Sequence, residues 1–180
     1  MHDMQKTLIG IVILLALIQC GCAPSCGGAP CEHRTKVYGV CVEDEEEGPG
    51  GVYWMDQAME MVDRAAGNLV KHLPSCLPVE SHLEYTAQNI TMQMDNFIVR
   101  FAHGSLYNPS TKQAVYGLCY GTFMVVLWPY EGVVMHEMIH GLQVKLEKGK
   151  MDYTHADTPL WGCLKSIQTL TVGTEDGKCQ

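Results

Sequence analysis

His136-Glu137-Met138-Ile139-His140 sets two imidazoles four residues apart, with a carboxylate beside the first. An α-helix turns once per 3.6 residues, so side chains at i and i+4 share one face and can converge on a single metal ion. The carboxylate at i+1 then flanks the ion instead of binding it, where it can take a proton from a water whose pKa zinc lowers to about 7. The neighbouring sequence favours a helix. Residues 131–147 carry Val133, Val134, Ile139, Leu142, Val144 and Leu146 as an apolar set, with Pro129 just before them and Gly149 just after. The pattern predicts a helix presenting His136, Glu137 and His140, with Zn2+ as cofactor and metal-assisted hydrolysis as chemistry.

A catalytic zinc takes three protein ligands and leaves a fourth position to water, so a third ligand is expected beyond the helix. His155 is the leading candidate, because residues 149–161 read as a loop long enough to turn back toward His140. Asp152 and Asp157 are its rivals, since carboxylates also bind zinc, and an unligated Asp157 can accept the free ring N–H of a ligating histidine. A solvated loop histidine is the plain alternative for His155. The short HExxHxxGxxH arrangement is excluded, because the helix holds no further histidine after His140. Hydrolysis also needs a donor for the oxyanion, and Tyr153, Tyr130 and His103 are all available.

Over residues 115–162 the chain resembles the zincin metallopeptidases, through the HExxH helix and through a downstream histidine in Asp152-Tyr153-Thr154-His155-Ala156-Asp157-Thr158-Pro159-Leu160-Trp161. It looks in particular like small exported bacterial proteins of minimal zincin type. The resemblance implies a peptidase acting on a peptide or protein substrate, with His136 and His140 as zinc ligands, Glu137 as general base and His155 as third ligand. It also implies a strand ahead of the motif helix whose exposed edge pairs with substrate. Residues 120–128, β-branched and aromatic between Gly121 and Pro129, read as that strand.

Residues 1–19 read as a secretory signal: a polar start with Lys6 is followed by an apolar run too short to span a bilayer comfortably. Leu17-Ile18-Gln19-Cys20 resembles a bacterial lipobox, which implies a lipid anchor at Cys20 and attachment to an envelope membrane, with ordinary secretion as the alternative. The chain has nine cysteines, and setting Cys20 aside leaves eight, enough for four disulfides in an oxidising compartment. No Cys-x-x-Cys pair competes for zinc. The net charge of −8 argues against nucleic acid as a partner.

Punctuation then sets the organisation. Residues 1–19 are the signal, residues 20–51 a cysteine-rich tether and acidic linker, and residues 52–180 the zincin-like domain. Met55, Met59, Val62, Ala66, Leu69 and Leu73 predict a long helix over 53–73, ended by Pro74 and Pro78. Residues 96–103 read as a strand, 104–112 as a turn-rich loop and 114–128 as one or two further strands. After the motif helix come the ligand loop and a cysteine-bracketed tail. The expected fold is α+β: a long N-terminal helix, a small mixed sheet and the HExxH helix, stapled by disulfides. Two rival functions share this sequence: a non-catalytic zinc-binding lipoprotein whose site an aspartate closes, and a stapled surface interaction module with an accidental motif.

Overall fold

Alternation of apolar and polar residues along short strands builds a sheet with one buried face. A computed structural model describes residues 31–44, 52–78, 83–155 and 157–171, all within the unit Cys31–Gln180. The strands are β1 (His33–Arg34), β2 (Cys41–Asp44), β3 (Ile98–Ala102), β4 (Leu106–Tyr107), β5 (Ala114–Val115), β6 (Gly117–Tyr120) and β7 (Phe123–Leu127). Five of them form one sheet in the order β1-β2-β3-β7-β6. The three central strands are parallel, and the outer two pair antiparallel. Strands β4 and β5 make a separate hairpin.

Register puts Val42, Val99 and Met124 in one row and Phe101 and Val126 in another, and all five are buried. The opposite face is only partly covered. There Arg100 donates to Glu43 at 2.7 Å and lies 4.8 Å above the Phe123 ring.

Four helices complete the described residues: α1 (Val52–Cys76), α2 (Ala87–Met94), α3 (Glu131–Leu146) and α4 (Pro159–Thr171). Together with the sheet they make a mixed α+β fold. Helix α1 buries Trp54, Ala58, Met61, Val62, Ala65, Ala66, Leu69 and Leu73, spaced by three and four. Its buried stripe is therefore centred one position from the expected one, and Met55 and Met59 lie at its margin, partly buried. Nor does Pro74 end the helix, which runs on to Cys76. A proline removes one backbone donor, and here the final turn is also held by a disulfide between Cys76 and Cys163.

Several boundaries depart from expectation for identifiable reasons. The domain does not begin at residue 52: β2 sits between β1 and β3, so residues 31–44 belong to the sheet and not to a tether. A turn secures them, with Asp63 of α1 accepting from the Val37 and Tyr38 amides at 3.1 and 3.2 Å. The signal, the Cys20 anchor and linker residues 45–51 lie outside the described residues. The predicted strand over 120–128 is split, because Gly121 adopts φ +77° and turns the chain between β6 and β7. Helix α2 was not expected; Thr86 caps it by accepting from the Asn89 amide at 3.1 Å. Helix α4 replaces part of the loop and tail, with Pro159 at its first position, where a missing N–H costs nothing.

The cysteine count resolves only in part. Cys31 pairs with Cys41 and Cys76 with Cys163, while Cys119 is an unpaired thiol on β6. Full pairing of the eight thus fails for Cys119; Cys22, Cys26 and Cys179 lie outside the described residues. Two disulfides are consistent with an extracellular protein. Among the described residues no helix is long and apolar enough to cross a membrane. The two bridges close loops of very different length, 87 against 10 residues of separation. Replacing Cys76 and Cys163 by alanine should therefore lower unfolding free energy by about 4.6 kcal/mol, against about 2.7 for Cys31 and Cys41. Urea denaturation of the two double variants measures the difference.

Candidate metal centre

Helix α3 is apolar on nearly every side. Val133, Val134, Met135, Met138, Ile139 and Leu142 are all buried, because the helix packs against α1, α4, β6 and β7 together. Gln168 of α4 donates to the Gly132 carbonyl at 2.6 Å and fixes the first turn. Two glycines allow the close approach. A Cβ on Gly141 would lie 2.7 Å from Met124 Cε, and one on Gly117 would lie 2.7 Å from Val133 Cγ1 and collide with the Glu137 carboxylate.

His136 and His140 project from this helix, and the following loop returns His155 to them. His155 Nε2 stands 3.1 Å from His136 Nε2 and 3.0 Å from His140 Nε2. One ring nitrogen carries at most one proton, so His155 cannot donate to both partners. Converging lone pairs of this kind are what a cation satisfies: tetrahedral ligands about 2.0–2.1 Å from zinc lie roughly 3.3 Å apart. The three ligand atoms all lie within 4.8 Å of one another, so this group can hold a metal ion. His140 Nδ1 is buried without a hydrogen-bond partner among the described residues. A proton there leaves Nε2 unprotonated and turned to the cluster.

Burial also supplies the protonation states a metal needs. It drives His136 down to about 3, with His140 and His155 adding like-charge repulsion. His140 falls to about 4 through burial and then His155, opposed first by the neighbouring Gln143 side chain and then by Asp152. His155 is lowered by burial, again against the pull of Asp152. Glu137 moves the other way. Enclosed beneath Gly117, its carboxyl is pushed up to about 8 by burial.

The ligand loop is organised by Asp152, which lies outside the three-histidine group. Its Oδ1 accepts from the Thr154 amide at 2.9 Å and hydroxyl at 2.7 Å, and its Oδ2 accepts from Trp161 Nε1 at 3.1 Å. This bracing accompanies a φ of +50° at His155, a conformation that non-glycine residues seldom adopt unaided. Trp161 in turn packs on the whole triad, its ring 5.0, 4.8 and 4.6 Å from those of His136, His140 and His155. Asp157 is exposed and makes no hydrogen bond to the triad, so neither role considered for it is met here.

The triad opens into a cleft of about 710 Å³, which Tyr153, Tyr116 and Tyr120 also line. Tyr153 is 73% exposed, with its ring 6.2 Å from that of His140. Of the other donors considered, Tyr130 precedes α3 with its ring 5.2 Å from Tyr116. His103 does not line the cleft; it bonds to Asp44 at 2.9 Å and packs on Trp54. The strand expected to offer an open edge is likewise corrected, because β7 is paired on both sides. The free edge belongs to β6. Leu127 N–H donates to Tyr116 O at 2.8 Å, and antiparallel alternation from that bond turns the N–H and C=O groups of Gly117 and Cys119 outward.

Trp161, Gly117 and Cys119 were not assigned roles from sequence. Only the Pro159-Leu160-Trp161 run carried a local signal, as a helix start. Comparison with protein-family models, curated proteins and solved structures finds no match to this chain.

Three variants test the architecture. Trp161→Ala should weaken zinc binding about 10- to 100-fold, and Trp161→Phe, which keeps a ring but loses the bond to Asp152, should fall between it and wild type. Competition with a chromophoric chelator reads both. Gly117→Ala should displace Glu137 and reduce any hydrolytic turnover while zinc stays bound, as elemental analysis beside kinetics would reveal.

Proposed function

We propose that the chain is an exported zinc-dependent peptidase that hydrolyses peptide bonds by zinc-activated water, with Glu137 as general base. The observation that carries this reading is a buried carboxylate next to three converging imidazoles. Three protein ligands are the number typical of catalytic zinc. His136, His140 and His155 would hold the ion, with Asp152 and Trp161 orienting the third. When bound, zinc would polarise the scissile carbonyl and acidify a water molecule.

Glu137 takes the proton of the attacking water and passes it to the leaving amine. Its burial suits both transfers: a desolvated carboxylate is a stronger base, and its conjugate acid delivers the proton into a site with little competing water. Tyr153 is the residue we assign to donate to the oxyanion, since its exposed hydroxyl-bearing ring stands beside His140. The substrate backbone adds to the outer edge of β6. A long helix behind a mixed sheet, an antiparallel edge strand and the motif helix together support a minimal zincin-like architecture. The disulfides support export, and a lipid anchor at Cys20 would tether the enzyme to an envelope membrane.

The decisive variant is Glu137→Gln, an isosteric change that removes the base and leaves the ligands. Turnover should fall by about 10²–10⁴ with zinc content per chain unchanged. Loss of zinc in that variant would make Glu137 a ligand and overturn its role. Absence of zinc from the wild-type protein after refolding with it would sink the peptidase reading.

A further inference from the structure

The walls of the cleft say which part of a chain it accepts. Among the described residues lining it, Glu137 is the only acidic one and none is a lysine or arginine. An exopeptidase must hold an ammonium or carboxylate terminus within a residue or two of the bond it cuts. Such a group, taken partly out of water between uncharged walls, loses hydration and gains no counter-ion, a cost of several kcal/mol per ion in protein interiors. Apart from Glu137, which the reaction itself uses, no described residue of these walls offers a charge to pair with either terminus.

What the cleft offers suits the interior of a chain. The outward N–H and C=O groups of Gly117 and Cys119 read main chain alone, which every residue supplies. Around them stand three exposed tyrosines, Tyr116, Tyr120 and Tyr153, at 43%, 54% and 73% exposure. A tyrosine presents an apolar body with a polar tip, and pairs well with aromatic or aliphatic side chains. Neutral Gln113 and Thr111 of the loop between β4 and β5 complete the wall.

Building on the peptidase reading, we propose that this protein is an endopeptidase for extended segments whose side chains flanking the scissile bond are uncharged, aromatic ones preferred. Termini take no part in its recognition.

The zinc-loaded chain is tested on a ten-residue peptide with a Phe-Leu centre, with free termini or acetylated and amidated, and with Asp or Lys replacing either central residue. Products are identified by mass and rates compared as kcat/KM. Cleavage should be internal, with blocked and free peptides within about threefold of each other, and Asp or Lys should cost at least about tenfold. Gln113→Arg adds a cation to the wall and should raise the rate on the Asp peptides relative to the neutral one by about fivefold or more. Stepwise release of terminal residues, loss of cleavage on blocking, a preference for charge, or an unmoved Asp ratio in Gln113→Arg would each overturn the proposal while leaving the peptidase reading standing. No cleavage of any peptide by the zinc-loaded chain defeats the peptidase reading itself, and this proposal with it.

Discussion

Three neutral imidazoles, with the Nε2 of His155 about 3 Å from that of each of the other two, are the constraint around which this molecule is arranged. Protonation of any one would place a positive charge against two neighbours that must also stay available as ligands. Burial makes that state unfavourable, and it requires walls: Trp161 over all three rings, the sheet edge on one side and α4 on the other. The position of α4 is therefore as much a part of the site as the motif helix.

The same constraint accounts for the packing of α3. A motif helix on a surface could be amphipathic, but one that encloses its own functional face has no solvent side for most of its length. Glycine at 117 and 141 lets the helix close on the β6–β7 hairpin to within the space of a missing methyl group. The disulfide between Cys76 and Cys163 then joins the last turn of α1 to α4 across the molecule. It holds the helix that carries Trp161 against the helix behind the sheet. Local residue choices and long-range bridges thus act on the same few contacts.

What could be read from the sequence was what depends on local spacing. The i, i+4 histidines and the apolar set around them specify a helix with both imidazoles on one face, and a single residue type in the right stretch was enough to nominate His155. The roles of Asp152 and Trp161 were hidden because they follow from a hydrogen bond across nine residues and from the packing of a helix not expected there. Strand β2 escaped notice for a different reason. Its apolar Val42, with Val40 just before it, is embedded among cysteines and charges, and its partner β3 lies more than fifty residues on, so no local pattern marks it. Cysteine parity misled at Cys119, because counting treats every thiol as equivalent, whereas sheet register decides which ones can meet.

Cys119 shows how that register bears on the site. Paired opposite Met124, it shares the inner face of the sheet with Gly117, on the side where α3 carries Glu137. A thiolate near a metal site would be a soft competitor for the ion, favoured over imidazole by zinc in many structural sites. Burial, and then the charge of Glu137, push this thiol up to about 12. It therefore stays protonated at neutral pH and fills space as a small apolar side chain, with its Sγ 3.3 Å from the Gly121 carbonyl. Burial first, and Glu137 second, thus keep this thiol protonated beside the cleft, and the group able to hold a metal ion consists of the three histidines that helix and loop bring together.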